Sequence, residues 1–250
     1  MPLPVALQLY SVRDDCQEDL FGVLKQVAEM GYDGVEFAGY YGHLPKDIKK
    51  ALDDLGLKAE GTHTGLQALE GENFDETIEI HQILGCKFAI VPWLPEDSRN
   101  TEEACLRIAE KLTVVAMRLE PLGLQTGFHA HEGDMRPLAG GKCAWDILAA
   151  NTPANFIMQY DTANGMAGGA DPVKPITDYP GRSASVHLKG YAHGYGALVG
   201  EPDIPWERVF EACETVGKTQ WYVVEHEDSS RMSPLEAVRK CRENLRELGH

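Results

Sequence analysis

Three side chains that can hold a cation or move a proton stand at the ends of three short apolar runs: Asp161 after FIMQY, His187 after SASV and Glu225 after WYVV. An earlier run closes the same way in the histidine-rich stretch GFHAHEGD, residues 127–134. Carboxylate oxygens and imidazole nitrogens drawn from successive strand ends suit one divalent metal ion. His129 and His131 share a face at the two-residue period of a strand. Either could complete a four-ligand set with Asp161, His187 and Glu225, and Glu132 and Asp134 are alternatives in the same turn. A lone histidine in an apolar run is often a core residue bonded to backbone, and a lone strand-end carboxylate is often a helix cap or a surface charge. Finding such residues on three consecutive runs weakens that reading for each of them.

Further candidates stand at the same positions along other runs. Lys189 follows His187 by two residues and faces the same side. His63 ends the third run and Glu36 lies in the second; both suit a structural role or substrate contact more than metal ligation. Trp93 ends the fourth run and could form a flat apolar wall for a sugar ring, or simply pack in the core. Arg13 follows the first run, where its guanidinium could bond a substrate oxygen or brace Asp14 or Asp15. His193 lies in the glycine- and tyrosine-rich stretch after Lys189 and is a candidate for contacting substrate oxygens.

The elements that must position these residues recur along the whole chain. Strand-like runs are read at Val5–Tyr10, Gly34–Phe37, Lys58–His63, Phe88–Trp93, Leu124–His129, Phe156–Asp161, Ser183–Lys189 and Trp221–Glu225. Helix-period stretches fill the gaps: Leu20, Val23, Leu24, Val27 and Ala28 keep i, i+3, i+4 spacing, as do Leu106, Ala109, Leu112, Thr113 and Ala116. Eight strands alternating with eight helices predict a parallel sheet covered on both faces, closed by right-handed crossovers into a (β/α)8 TIM barrel, a single domain over residues 1–250. An open doubly wound sheet is the alternative. Ser233-Pro234-Leu235-Glu236 reads as a capping box, and Asn73 with Glu76 as a similar device. Gly31, Gly56, Gly85, Gly123 and Gly217 read as left-handed helix C-caps ahead of strands. The segments after the strands are the longer ones, which makes them the functional face. Among them, Gly190–Pro205 could close over a bound ligand.

Composition narrows the partners. The chain has 250 residues, 43% hydrophobic and 25% charged, and a formal net charge of −16. Such a charge opposes binding to nucleic acid or to an anionic membrane surface, but says little against a neutral small molecule. Six scattered cysteines without CxxC spacing read as reduced thiols of a cytoplasmic protein. No apolar stretch is long enough to span a membrane. The N-terminal MPLPVALQLYSVRDD reads as a first strand, not as a signal segment. Dinucleotide, P-loop, nucleophile-elbow and zinc-finger spacings are absent. Aromatic residues in the long loops leave room for a homo-oligomer.

The segments LQLYSVRDD, GYDGVEFAGYYG, FHAHEGD, the Asp161 strand end, VHLKG and YVVEHED, in this order, resemble the sugar phosphate isomerase/epimerase family of the xylose isomerase-like TIM-barrel superfamily. The resemblance covers nearly the whole chain. It implies one divalent metal ion, Mn2+, Mg2+, Co2+ or Zn2+, held at the ends of strands five to eight, with Asp161, His187 and Glu225 matching the last three ligands. Where better-known epimerases carry Glu on strand five, this chain has His129, with His131 and Glu132 close by. It is more similar there to a branch of the family with a His-x-His sequence.

The implied activity is that of a metal-dependent sugar isomerase or epimerase acting on a small, unphosphorylated, ketose-like sugar through an enediolate. Glu225 would be ligand and base, and His129 or His131 a second acid/base group. The same intermediate serves a lyase of the superfamily, such as an inosose dehydratase or a 3-keto-glycoside lyase, which is the alternative. Two further readings, an endonuclease IV-like DNA repair enzyme and a non-catalytic sugar-binding barrel, stand behind these. The net charge and the single ligand set count against the first of the two.

Overall fold

Each apolar run becomes a strand. The computed structural model describes residues 2–250. Its strands are β1 (Val5–Gln8), β2 (Gly34–Phe37), β3 (Lys58–His63), β4 (Phe88–Val91), β5 (Gln125–His129), β6 (Ile157–Gln159), β7 (Ser185–Leu188) and β8 (Trp221–Val224). Several stop short of the expected run. The last residues of those runs, among them Tyr10, Trp93, Asp161, Lys189 and Glu225, leave the ladder and enter the loops that follow. After β1 the chain turns directly into a 3₁₀ turn at Leu9–Val12.

The strands are parallel, in the order β6-β5-β4-β3-β2-β1-β8-β7. The two ends of that row meet. A parallel bridge joins Asp161 to His187. His187 N donates to Tyr160 O at 2.8 Å, and Met158 N to Arg182 O at 2.7 Å. The result is a nearly closed TIM barrel rather than an open doubly wound sheet, and it puts all strand C-termini on one face.

Helices α1 (Arg13–Met30), α2 (Pro45–Leu55), α3 (Leu66–Glu70), α4 (Phe74–Leu84), α5 (Glu102–Leu119), α6 (Glu132–Met135), α7 (Ala144–Asn151), α8 (Thr162–Ala167), α9 (Lys174–Thr177), α10 (Trp206–Ala212) and α11 (Pro234–Glu247) form the outer layer. The sixth crossover holds two short helices, α8 and α9, in place of one long one. The first and last helices are tied together: Arg242 and Arg246 donate to Gly31 O and Met30 O, and Tyr32 Oη donates to Val238 O. All six cysteines are unpaired. None of the described helices is long and apolar enough to cross a membrane.

Three local expectations are corrected. On α5 the buried stripe runs through Cys105, Ile108, Ala109, Leu112, Val115 and Ala116, whereas Leu106 is exposed. Leu106 and Thr113 fit the helical spacing equally well on paper, and only the position of β5 and α7 picks the face. Gly217 does not take the left-handed cap; Lys218 does, at φ 55°. A Cβ on Gly217 would lie 3.0 Å from Ile176 and 3.2 Å from Ser183, so this glycine serves close packing. Asn73 makes no side-chain cap, whereas the Ser233–Glu236 capping box forms as read. Gly31, Gly56, Gly85 and Gly123 all cap in the left-handed conformation.

Inside the barrel, Phe88, Ile90, Ile157 and Ala184 pack with Trp221 near the N-terminal ends of the strands. Buried Gln8, Glu36, Glu60, Gln159 and Ser185 belong to the strands above this plug. Gly127 controls how closely β5 approaches β6. A Cβ there would meet Ile157 O at 2.4 Å and Ile90 Cδ1 at 2.9 Å. Gly127→Ala therefore overpacks the strand that carries His129. Chemical denaturation should record a loss of about 1–3 kcal/mol, the usual cost of an added group in a filled core; an unchanged midpoint would show that β5 has slack.

Candidate active site

The barrel brings four of the sequence candidates to one point. His129 ends β5, Asp161 follows β6, His187 lies in β7 and Glu225 follows β8. All four are buried, and one donor atom from each lies within 4.8 Å of the others. His187 Nδ1 is 2.8 Å from Glu225 Oε2 and 4.0 Å from Asp161 Oδ2. His63 forms a second close group with His129 and His187.

Local structure aims these groups. Asp161 is the N-cap of α8, and its Oδ1 accepts from Asn164 N at 2.7 Å. Its Oδ2 is buried and without a partner. An unpaired carboxylate oxygen in the interior is costly unless a cation or donor meets it. That orphaned oxygen, beside two imidazoles and a second carboxylate, is the arrangement a divalent cation fits. Asp161 thus does both things weighed for it, capping a helix with one oxygen and facing the cluster with the other.

Burial and neighbouring charge set the protonation of the group. Burial pushes Asp161 up to about 6 against the opposing pull of Lys189. Burial opposes charge on His187, but the Glu36 and Glu225 carboxylates on its two nitrogens overcome this and raise it to about 10. Burial would raise Glu225, yet Lys189 and His187 hold it well below the usual carboxylate range. His129 is driven well below an ordinary histidine by burial and by the neighbouring imidazoles of His187 and His63. Burial takes His131 down to about 4.

A cavity of about 660 Å³ opens over the cluster, lined in part by His63, Trp93, His129, His131, Lys189 and Glu225. Trp93 is 58% exposed and forms part of the wall, so it is not core packing. Lys189 is buried, with its ammonium against Glu227 and 3.9 Å from Glu225 Oε1. His131 Nδ1 is buried with no partner, and its backbone N–H donates to Asp134 Oδ2, itself paired with Arg99.

Three of the substrate-contact candidates fall outside this lining. Arg13 neither reaches the cavity nor braces Asp14 or Asp15; it donates to Tyr10 O at 2.9 Å and lies over the Tyr10 ring. Tyr10 itself lines the cavity. His193 is exposed on the loop after β7, at φ 57°, and is not part of the lining. Glu36 is fully buried beneath the cavity and bonded to His187 Nε2 at 2.6 Å, so it touches a neighbour of the substrate space and not the space itself.

Sequence reasoning missed Gln159, Asn164, Tyr195 and Glu227. Gln159 and Gln8 carried a signal: each is an amide inside an otherwise apolar strand run, a placement that requires buried partners. Tyr195 carried none, since its approach to Lys189, 5.0 Å from Nζ to the ring, depends on the path of the loop. That loop is tethered by Asn244 to Val199 O and by Arg231 to Glu201.

Residues 24–248 match the family model described as xylose isomerase-like TIM barrel. The chain belongs to that family. An inosose dehydratase of Geobacillus kaustophilus (strain HTA426) is 26% identical over 200 residues, covering 71% of this chain and 64% of that protein's length. A sugar phosphate isomerase/epimerase from Parabacteroides distasonis ATCC 8503 superposes with a TM-score of 0.85 at 21% identity, covering 98% of each chain. The IOLI protein, described with a binding zinc atom, superposes with a TM-score of 0.75 at 14% identity, again over 98% of each chain.

Metal uptake should release protons in a pattern set by these neighbours. At pH 7.5 His187 is protonated and Asp161 is not. A cation needs the neutral imidazole, so binding should release about one proton, and more as pH falls through 6 and Asp161 takes up its own. Calorimetry in buffers of different ionisation enthalpy measures this number. Asp161→Ala should lower metal stoichiometry in the purified protein; undiminished stoichiometry would remove Asp161 from the ligand set.

Proposed function

We propose that this chain is a metal-dependent sugar isomerase or epimerase, acting on a small ketose-like substrate through an enediolate. The observation that carries the reading is the convergence of His129, Asp161, His187 and Glu225 under one cavity, with Asp161 Oδ2 left unpaired. A single divalent cation, Mn2+, Mg2+, Co2+ or Zn2+, would be held by these four residues and would supply charge stabilisation for an oxyanion beside the reacting carbon. The IOLI protein, which shares the fold, is described with a binding zinc atom, and this supports a cation here.

The protein's own groups account for the remaining steps. A carbon acid next to a carbonyl loses its proton to a base, and the electron pair of the broken C–H bond moves into the enediolate. His131 is neutral at pH 7 and its ring lines the cavity, so it can accept that proton and return it. Glu225, ionised and also on the wall, is the second group able to exchange a proton. His63 and Lys189 can bond substrate oxygens, and Trp93 offers an apolar face for a sugar ring. Return of the proton to the neighbouring carbon gives isomerisation; return on the opposite face gives epimerisation.

Elimination is the second reading, and two observations favour it. Curated relatives are named inosose dehydratase, and strand five carries His129 in place of the glutamate of a two-glutamate epimerase. A lyase needs one base and one acid for the departing hydroxyl or alkoxy group, which His131 and Lys189 can supply.

Incubating the metal-loaded protein in heavy water with ketoses, inososes and 3-keto-glycosides tests both readings. Deuterium beside the carbonyl is expected, and the product separates rearrangement from elimination. No deuterium with any of them would end the enediolate reading. His131→Ala should lower kcat by about 10²–10⁴-fold with metal content retained, the range for losing a general acid–base group.

A further inference from the structure

A carboxylate only accepts hydrogen bonds, so a buried one dictates the orientation of every donor around it. Glu36 plays this part beneath the cluster. Its Oε1 accepts from Gln159 Nε2 at 2.8 Å. Its Oε2 accepts from Gln8 Nε2 at 2.7 Å and from His187 Nε2 at 2.6 Å. All four side chains are fully buried.

Orientation then passes outward. Gln159 gives its other amide hydrogen to Ser185 Oγ at 2.9 Å. Its Oε1 therefore faces His129 Nδ1 at 3.0 Å and His63 Nε2 at 3.1 Å, and both ring nitrogens must donate. Turning the Gln159 amide over would set its oxygen against the Glu36 carboxylate, which has nothing to donate. Gln8 agrees from the opposite side, because its Oε1 accepts from Tyr10 N at 3.0 Å and its Nε2 is left for Glu36.

We infer that Glu36 and Gln159 are positioning residues that fix which ring nitrogen each cluster histidine offers to a cation. Glu36 keeps a hydrogen on His187 Nε2 and turns Nδ1 to the cluster, where it lies beside Glu225 and Asp161. Gln159 keeps a hydrogen on His129 Nδ1 and leaves Nε2 as its free lone pair. The inference rests on the metal-dependent reading above and deepens it. It makes the two histidines chemically unlike ligands, one through Nδ1 and one through Nε2, with both tautomers set by a single carboxylate.

The test uses the full-length protein labelled with 15N at histidine and loaded with Zn2+, which is diamagnetic. Long-range 1H–15N spectra separate a protonated ring nitrogen from a metal-bound one. The expected pattern is N–H at Nε2 of His187 and at Nδ1 of His129, with zinc on the other nitrogen of each. The reverse pattern at either ring overturns the inference. Gln159→Leu removes the acceptor for His129 at similar volume, and Glu36→Gln weakens the acceptor for His187. Each should raise the zinc dissociation constant by about 10–100-fold, the usual effect of losing an outer partner of a ligand histidine. Unchanged affinity in both, with the thermal transition retained, overturns it as well. A variant that does not fold leaves the decision to the wild-type spectrum. If wild-type protein takes up no zinc, or Asp161→Ala binds it undiminished, the metal reading fails and the inference with it. Bound zinc with the opposite nitrogens would sink the inference alone.

Discussion

Charge buried in a barrel mouth must be met by other buried charge, and this requirement organises the molecule around Glu36. Its carboxylate lies beneath the cavity with no access to water, held ionised against its own burial by the His63 and His187 imidazoles and by bonds from His187 and Gln159. Alone, such a group would be strongly destabilising. Together with His187 it becomes one link in a chain from Gln8 through Glu36 to His187, Glu225 and Lys189. The chain draws on β1, β2 and β7 and on the loops after β7 and β8, so the barrel must be closed before these groups are satisfied together.

The same closure separates two environments along each strand. Near the N-terminal ends, Phe88, Ile157 and Trp221 pack together as an apolar plug. At the C-terminal ends, backbone leaves the ladder, helix α8 begins, and side chains that cannot be buried alone collect at the cavity. Asp161 shows how a local rule and a tertiary demand meet in one residue. Its N-cap bond uses one oxygen, as helix starts require, and the other oxygen is left for whatever the neighbouring strands bring. His131 is similar, with its backbone fixed by Asp134 and its buried Nδ1 without a partner.

Much of this was legible before any coordinates. The existence of the eight strands, the glycine caps at Gly31, Gly56, Gly85 and Gly123 and the Ser233 capping box depend on interactions within a few residues and are legible in the sequence, whereas the strand ends are not. That Asp161, His187 and Glu225 come together at the barrel mouth was legible because a strand-end position tells the direction a side chain must face in a parallel barrel. Less visible were features that depend on a second surface. The buried face of α5 is chosen by what packs on it, and the left-handed cap falls on Lys218 and not on Gly217, which instead allows close packing against Ile176 and Ser183. Arg13 turns to Tyr10, and His193 stays exposed on its loop.

What the chain's order of residues determined alone was periodic and local: eight runs able to be strands, the helices between them, and acidic or imidazole side chains at the run ends. Those follow from steric and hydrogen-bonding preferences acting over a turn or two. Only the tertiary structure decided that Glu36 would meet His187 across 151 positions, that Gln159 would sit between His129 and Glu36, and that Asp161 would keep one oxygen unpaired. Such contacts depend on the register at which β6 and β7 close the ring, and that register is set by the packing of all eight strands at once, not by any one segment.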